Sequence, residues 1–428
     1  MADFRSPREL QPLSDDRGAD LYARHQALYA RVPTPAHVRP ELVADFDYLH
    51  PPGIEDGDVY SAWHRLHSGP DIVWSPCNGG HWIVTRAEDV RYVQENYELF
   101  SHEVFTIPPG ASPIRMPPLT VDPPLHARYR AILNPFFTPT RVRAMREEAE
   151  AVTRDLIARI KPNGRCDFVN QFARVMPVVM FLKIVDLPLD RREEFLEWGL
   201  TFITSADSRT KLGALENVQG YLGQVLEDRR ARPGNDLLSK IAAWRDNPRF
   251  EGEHEVIGMA ILVFFGGLDT VANILSFTAR HLAEHPVLRR RIIEEPAIIP
   301  RAAEEFFRRF GLSNTGRLIT RDFTYKGIDF RKGEMIMVPI SMSSMDDRLY
   351  DRPLEIDFDR DLDALSHNTF GNGPHKCVGN GLARAELQVF LGEWLKEIPD
   401  FAVDPRQPPV THSGSVNGVD NLHLVWDV

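Results

Sequence analysis

Ten residues near the C-terminal end, Phe370-Gly371-Asn372-Gly373-Pro374-His375-Lys376-Cys377-Val378-Gly379, constrain this 428-residue chain more than any other stretch. Gly371, Gly373 and Gly379 permit backbone angles that other residues resist, so the segment reads as a tight turn presenting the Cys377 sulfur. Amide N–H groups in such a turn can aim at a sulfur, and Phe370 can keep water from it. Gly379 then opens a helix over Asn380–Ile398, whose positive N-terminal end favours an anionic sulfur. Taken alone, a loop of this kind is more often a plain turn around a small buried thiol.

The surrounding pattern is helical. A helix is expected within 21–32, then a strand at His81–Thr85 and a helix over Ala87–Asn96, with Thr85 and Glu88 forming a capping box. A proline-broken loop spans 107–124. Helical periodicity runs from 125 to 161 with a break at Thr138-Pro139, and recurs at 188–206, 210–231, 234–245, 254–284, 286–294 and 299–310. Two β-rich runs follow within 322–339, then loop over 341–375, the helix after Cys377, and strands in 408–426. With no linker or repeat, residues 1–428 read as one large, mainly α domain with minor β, its first 55 residues irregular and proline-rich.

Composition removes several alternatives. A net charge of −11 argues against a nucleic-acid partner, which needs a basic face. Cys77, Cys166 and Cys377 lie far apart without metal-type spacing, which excludes a disulfide framework and fits a reducing cytoplasm. The polar N-terminus is not a signal peptide, and apolar runs such as 259–267 fall well short of the ~20 residues that span a bilayer. No membrane association is expected.

Two further segments stand out. Gly266-Gly267-Leu268-Asp269-Thr270 interrupts an apolar helical stretch, although each interior glycine costs roughly 1 kcal/mol relative to alanine. Close helix packing is the structural explanation; room for a ligand is the functional one. Glu305 and Arg308 are three residues apart on one helix face, as an ion pair requires.

The ten-residue loop resembles the heme-binding loop of the cytochromes P-450, and both other segments resemble that family's distal helix and its Glu-x-x-Arg pair. The likeness runs from about residue 60 to the C-terminus, and within the family it is greatest to the bacterial camphor hydroxylase. It implies heme b, with Cys377 as the thiolate ligand to iron. Thr270 then supplies a hydroxyl beside dioxygen, and Asp269 links that site to bulk protons. Glu305 and Arg308 become a structural lock completed by a partner from a later loop. His126, Arg130, Arg317 and His375 are the implied propionate partners, with Phe370 beside the sulfur.

The resemblance also implies a hydroxylase for a small apolar molecule, a cyclic terpenoid or norisoprenoid, taking electrons from a [2Fe–2S] ferredoxin reduced by an NAD(P)H-dependent flavoprotein. No flavin or nicotinamide fingerprint occurs in this chain. A peroxide-driven heme-thiolate peroxygenase and a non-catalytic heme-based sensor are the competing readings. The pocket departs from the camphor enzyme: Ile114 stands where that enzyme has a tyrosine that hydrogen-bonds substrate, and bulky Phe265 precedes the distal glycines. Phe105, Ile114, Leu119, Leu262, Phe265 and Val416 are expected to line it, with Ser313 and Ser415 in place of aliphatic wall residues.

Overall fold

Long stretches of good helix formers with a 3.6-residue apolar period can bury themselves only against one another, and that packing makes most of this molecule. The computed structural model describes residues 27–55, 58–112, 114–204, 208–361 and 367–428. Residues 21–26 of the helix expected at 21–32 lie outside them, and the described part is helical at 27–28 and leaves the helix from 29 onward.

The helices are α1 (Val59–His64), α2 (Ala87–Glu95), α3 (Leu125–Leu133), α4 (Pro139–Ile160), α5 (Val175–Ile184) and α6 (Arg192–Thr204). They continue with α7 (Ser208–Ala231), α8 (Leu237–Ala242), α9 (Glu253–Glu284), α10 (Pro286–Glu294), α11 (Ile299–Arg309), α12 (Ile340–Ser344) and α13 (Asn380–Glu397). The break before α4 has two causes. Pro135 sits in a 3-10 turn over Asn134–Phe136, and the Thr138 hydroxyl caps α4 by accepting the Arg141 N–H, with Pro139 at the first helical position.

The largest sheet has the order β1-β2-β8-β5-β3, built from β1 (Ile72–Ser75), β2 (His81–Val84), β3 (Phe100–Ser101), β5 (Asn314–Ile319) and β8 (Met335–Pro339). Only the β2–β8 pair is parallel, with Trp82 opposite Ile336. A three-stranded sheet joins β4 (Arg165–Asp167), β12 (His423–Val425) and β9 (Ala402–Val403); β10 (Val410–His412) pairs with β11 (Gly418–Asn421), and β6 (Phe323–Tyr325) with β7 (Ile328–Phe330).

Helix α9 runs through the interior. It is long and apolar enough to cross a bilayer, but 56% of its most apolar window is buried within the protein. Its Gly258 allows a close approach, since a Cβ there would lie 2.2 Å from the Arg115 carbonyl oxygen. The proline-rich loop is therefore seated directly on α9. Helix α4 lies along α13, tied by Arg146–Gln388 at 2.9 Å, Arg154–Glu393 at 3.0 Å and Lys161–Glu397 at 3.0 Å.

Three expectations are corrected. The capping box at Thr85 does not form: Arg86 is the N-cap residue, and the Asp346 carboxylate accepts the Ala87 N–H at 2.8 Å. Helix α5 and strand β5 were not anticipated, because Val175–Ile184 is apolar on nearly every side and offers no period to read. Gly379 has φ −81°, an ordinary value, whereas Gly371 (+72°) and Gly373 (+66°) do need glycine.

Candidate active site

The cysteine loop is fastened before it reaches the sulfur. The Phe370 carbonyl accepts the Cys377 N–H at 2.8 Å, and Asn372 donates to Asn368 and Gln94 at 2.7 and 2.9 Å. A side chain at Gly373 would begin 2.8 Å from the Gln94 carbonyl oxygen, so glycine is required there for space as well as for φ. Phe370 packs on Phe307, with the Arg384 guanidinium over its ring at 4.4 Å.

At the sulfur two influences oppose each other. Enclosure by protein pushes the Cys377 thiol up, while the N–H groups of Gly379 and Asn380 and the charges of Arg130 and Arg384 favour the thiolate. The residue is enclosed yet keeps accessible surface, as a side chain does when it opens onto an interior cleft. Gly266 and Gly267 are likewise exposed in the middle of the otherwise buried α9, and a Cβ at Gly267 would meet nothing within 4 Å. These glycines face open space, so tight helix packing does not explain them.

One turn along α9, the Thr270 hydroxyl rests on the Gly266 carbonyl at 3.2 Å. Asp269 accepts a hydrogen bond from Asn273 at 2.9 Å. Burial raises the Asp269 carboxyl, and the charges of His412 and Arg174 pull it back.

A cluster of cations and imidazoles converges from four parts of the chain. Arg317 projects from β5 with 5% exposure and, among the described residues, bonds the Thr315 hydroxyl and the Gly316 carbonyl. No carboxylate lies within 4 Å of it among the described residues, and burial brings its pKa down to about 9. His375 stacks on His102 at 4.4 Å and meets His126 edge-on at 4.5 Å. Its Nε2 reaches Asp122 at 3.3 Å. Arg130 donates to the Lys376 carbonyl at 2.8 Å, which ties α3 to the cysteine loop. Burial lowers His126 to about 4 and His102 well below its ordinary range, and the buried His102 Nδ1 has no hydrogen-bond partner among the described residues. An Arg–His cluster with one carboxylate is built to receive an anionic group.

His102 escaped the sequence reading because nothing around Ser101-His102 marks it. It reaches the cluster through a fold in which its N–H and the Ser101 hydroxyl both bond Asp122.

The expected pocket residues fall on two walls. Leu262 and Phe265 lie on α9 just before the glycines, Phe265 tilted against Phe202 at 4.4 Å, and Ile114 packs into the same apolar cluster. Leu119 is held by its carbonyl, which bonds the His102 ring. The second wall flanks β5. The Phe105 carbonyl accepts the Gly316 N–H at 2.7 Å, Ser313 pairs with Val416, and the Ser415 carbonyl accepts the Asn314 N–H at 2.8 Å. The Ser415 hydroxyl is engaged by Tyr48.

Glu305 and Arg308 form a bidentate pair at 2.7 and 2.8 Å, both fully buried, and Arg360 from the later loop reaches Glu305 at 3.2 Å.

A family model described as cytochrome P450 matches residues 200–416. A probable cytochrome P450 127A1 of Sinorhizobium fredii is 33% identical over 406 residues, 92% of this chain and 97% of that protein. The crystal structure of CYP101C1 superposes with a TM-score of 0.86 at 36% identity, covering 92% of this chain and 100% of that one. The CYP101J2 structure gives 0.83 at 33% identity, with the same coverage.

Proposed function

The chain belongs to the cytochrome P450 monooxygenases, and from that premise we propose that it hydroxylates a small apolar molecule, a cyclic terpenoid or norisoprenoid, with electrons from a [2Fe–2S] ferredoxin. Family members bind heme b and use dioxygen with a redox partner. The observation that carries the reading is the Cys377 sulfur, surrounded by protein yet still accessible and approached by two helix-terminal amides.

The residues present fit heme b. Cys377 is the ligand to iron, and the amides of Gly379 and Asn380 with Arg130 and Arg384 bias its sulfur toward the anion. Arg317, Arg130, His126 and His375 would hold the propionates, which would place an anion beside Arg317, where none stands among the described residues. When bound, heme supplies the oxygen-activating chemistry. Gly266 and Gly267 leave open space along α9, Thr270 holds a proton at its Oγ1, and Asp269 passes protons toward it from the protein surface. Phe265 and Ile114, packed into one apolar cluster, and Leu262 beside Gly266 keep the site dry.

The substrate reading rests on the walls. They are apolar apart from Ser313 and Ser415, Ile114 offers no donor for a ketone, and Phe265 packs against Phe202 and Phe264. A reducing cytoplasm suits the three free cysteines. The test is spectroscopic. Under carbon monoxide the reduced holoprotein should show the red-shifted Soret band of thiolate ligation, which Cys377→His should abolish. The ferric protein should shift toward high spin with ionone more readily than with camphor. A persistent red-shifted band in Cys377→His refutes the ligand, and tighter camphor binding refutes the substrate reading.

A further inference from the structure

The strongest arrangement outside the heme cleft lies where the C-terminal hairpin meets α9. Asn273 donates to Asp269 at 2.9 Å, and its own oxygen accepts the Val419 N–H at 3.0 Å. A side chain at Gly418 would begin 2.8 Å from that oxygen and 2.3 and 2.7 Å from Cε1 and Nε2 of His412. Glycine at 418 therefore lets the imidazole lie over the carboxamide that holds Asp269. The other ring nitrogen, Nδ1, meets the Asp420 carboxylate at 2.8 Å. Both side chains of this His–Asp pair touch solvent, at 32% and 44% exposure.

The charges around the pair are few. Asp420 faces His412 from β11, Asp269 from α9 and Arg174 from the turn before α5, with Asp167 beyond Arg174. Two cations act on Asp269, namely His412 and Arg174. A guanidinium holds its protons under all working conditions, so it can orient a carboxylate but cannot supply it with a proton. An imidazolium can do both near neutral pH.

We infer that His412, backed by Asp420, is the surface relay that recharges Asp269 with protons during turnover. The inference rests on the proton-passing role proposed for Asp269. In the step, the Nε2–H bond of the imidazolium breaks, and its proton passes through intervening water to an Asp269 carboxylate oxygen, where an O–H bond forms. The neutral imidazole regains a proton from solvent, and Asp420 remains a carboxylate throughout. No oxidant or reductant is involved.

The experiment compares His412→Gln, His412→Lys and Asp269→Asn as holoenzymes, with ionone as probe substrate and a [2Fe–2S] ferredoxin system. Turnover should fall about tenfold or more in both His412 variants, with a larger solvent deuterium isotope effect and unchanged heme content. Isotope-edited infrared spectra, with Asp269→Asn as the blank, should show more protonated Asp269 at neutral pH in His412→Gln, because a stabilising positive charge has gone. Normal turnover in His412→Lys would reduce His412 to a fixed charge and overturn the relay. An unchanged infrared signal and isotope effect in His412→Gln would overturn it too. Should Asp269→Asn itself turn over normally, the role proposed for Asp269 fails first. A slow Asp269→Asn beside normal His412 variants removes the relay alone.

Discussion

Arg308 and Arg317 are both buried guanidiniums, but one site is complete and the other is not. All five N–H donors of Arg308 are used: Nε and Nη2 on Glu305, the rest on the carbonyls of Ser344, Pro353 and Glu355 at 2.7–2.8 Å. Glu305 in turn accepts from Arg360 and from the Asp357 N–H. Arg317 bonds its own strand at two points and has no carboxylate within 4 Å among the described residues. Breaking a completed buried pair strands a charge and is strongly destabilising, whereas a buried cation with no anion beside it carries a desolvation cost that an anionic ligand can relieve. The two arginines thus mark the difference between scaffold and binding site.

The largest effect should come from breaking the complete site. Arg308→Met leaves Glu305 buried with Arg360 as its only cation, and removing one partner of a buried pair costs about 3–5 kcal/mol. The urea midpoint of the holoprotein should drop accordingly, and little folded protein should be recovered at physiological temperature. A loss below about 1 kcal/mol would mean that Arg360 compensates and that the lock is redundant.

The incomplete site should respond in opposite senses with and without heme. In heme-free protein, Arg317→Met removes an uncompensated buried charge and should leave stability unchanged or raised. In the holoprotein it removes an anion's partner, worth about 1–3 kcal/mol, or one to two decades in heme retention. Heme transfer to an excess of apomyoglobin measures the second effect, and denaturant unfolding of the heme-free form measures the first. Equal destabilisation of both forms would make Arg317 scaffold, like Arg308, and the contrast would collapse.

The complete site was legible from sequence as Glu-x-x-Arg, because a three-residue spacing on a helix fixes the pair locally. Its third member, Arg360, lies 55 residues beyond Glu305 and was foreseen only as an unnamed partner. Arg317, Arg130, His126 and His375 were nominated by resemblance, but their convergence with His102 depends on β5, which the sequence pattern did not reveal. Likewise the start of α2 is capped by Asp346, a contact 259 residues away that no local motif encodes. Local spacing allowed the pair and the turn around the sulfur, and the resemblance gave them their roles. Long-range pairing decided the anion site.

The smallest effect sharpens the same contrast through pH. His126 is buried beside His375 and Arg130, and burial takes it from the ordinary 6.5 to about 4. As pH falls below 6.5 the unfolded chain therefore binds a proton that the heme-free folded protein refuses, so stability is full above that value and is lost toward pH 4. By pH 5.5 the loss is about 1 kcal/mol, read as a falling urea midpoint between pH 7 and 5.5. His126→Gln should make this limb shallower by about that amount without moving the midpoint at pH 7, the remainder belonging to His102 and the other histidines that burial holds low. Heme loading should flatten it in the unmodified protein, since propionates near His126 favour the imidazolium and restore a folded-state pKa closer to the unfolded one. A limb equally steep in heme-free and heme-loaded protein would mean that His126 does not face the anion, leaving Arg317, Arg130 and His375 to hold it.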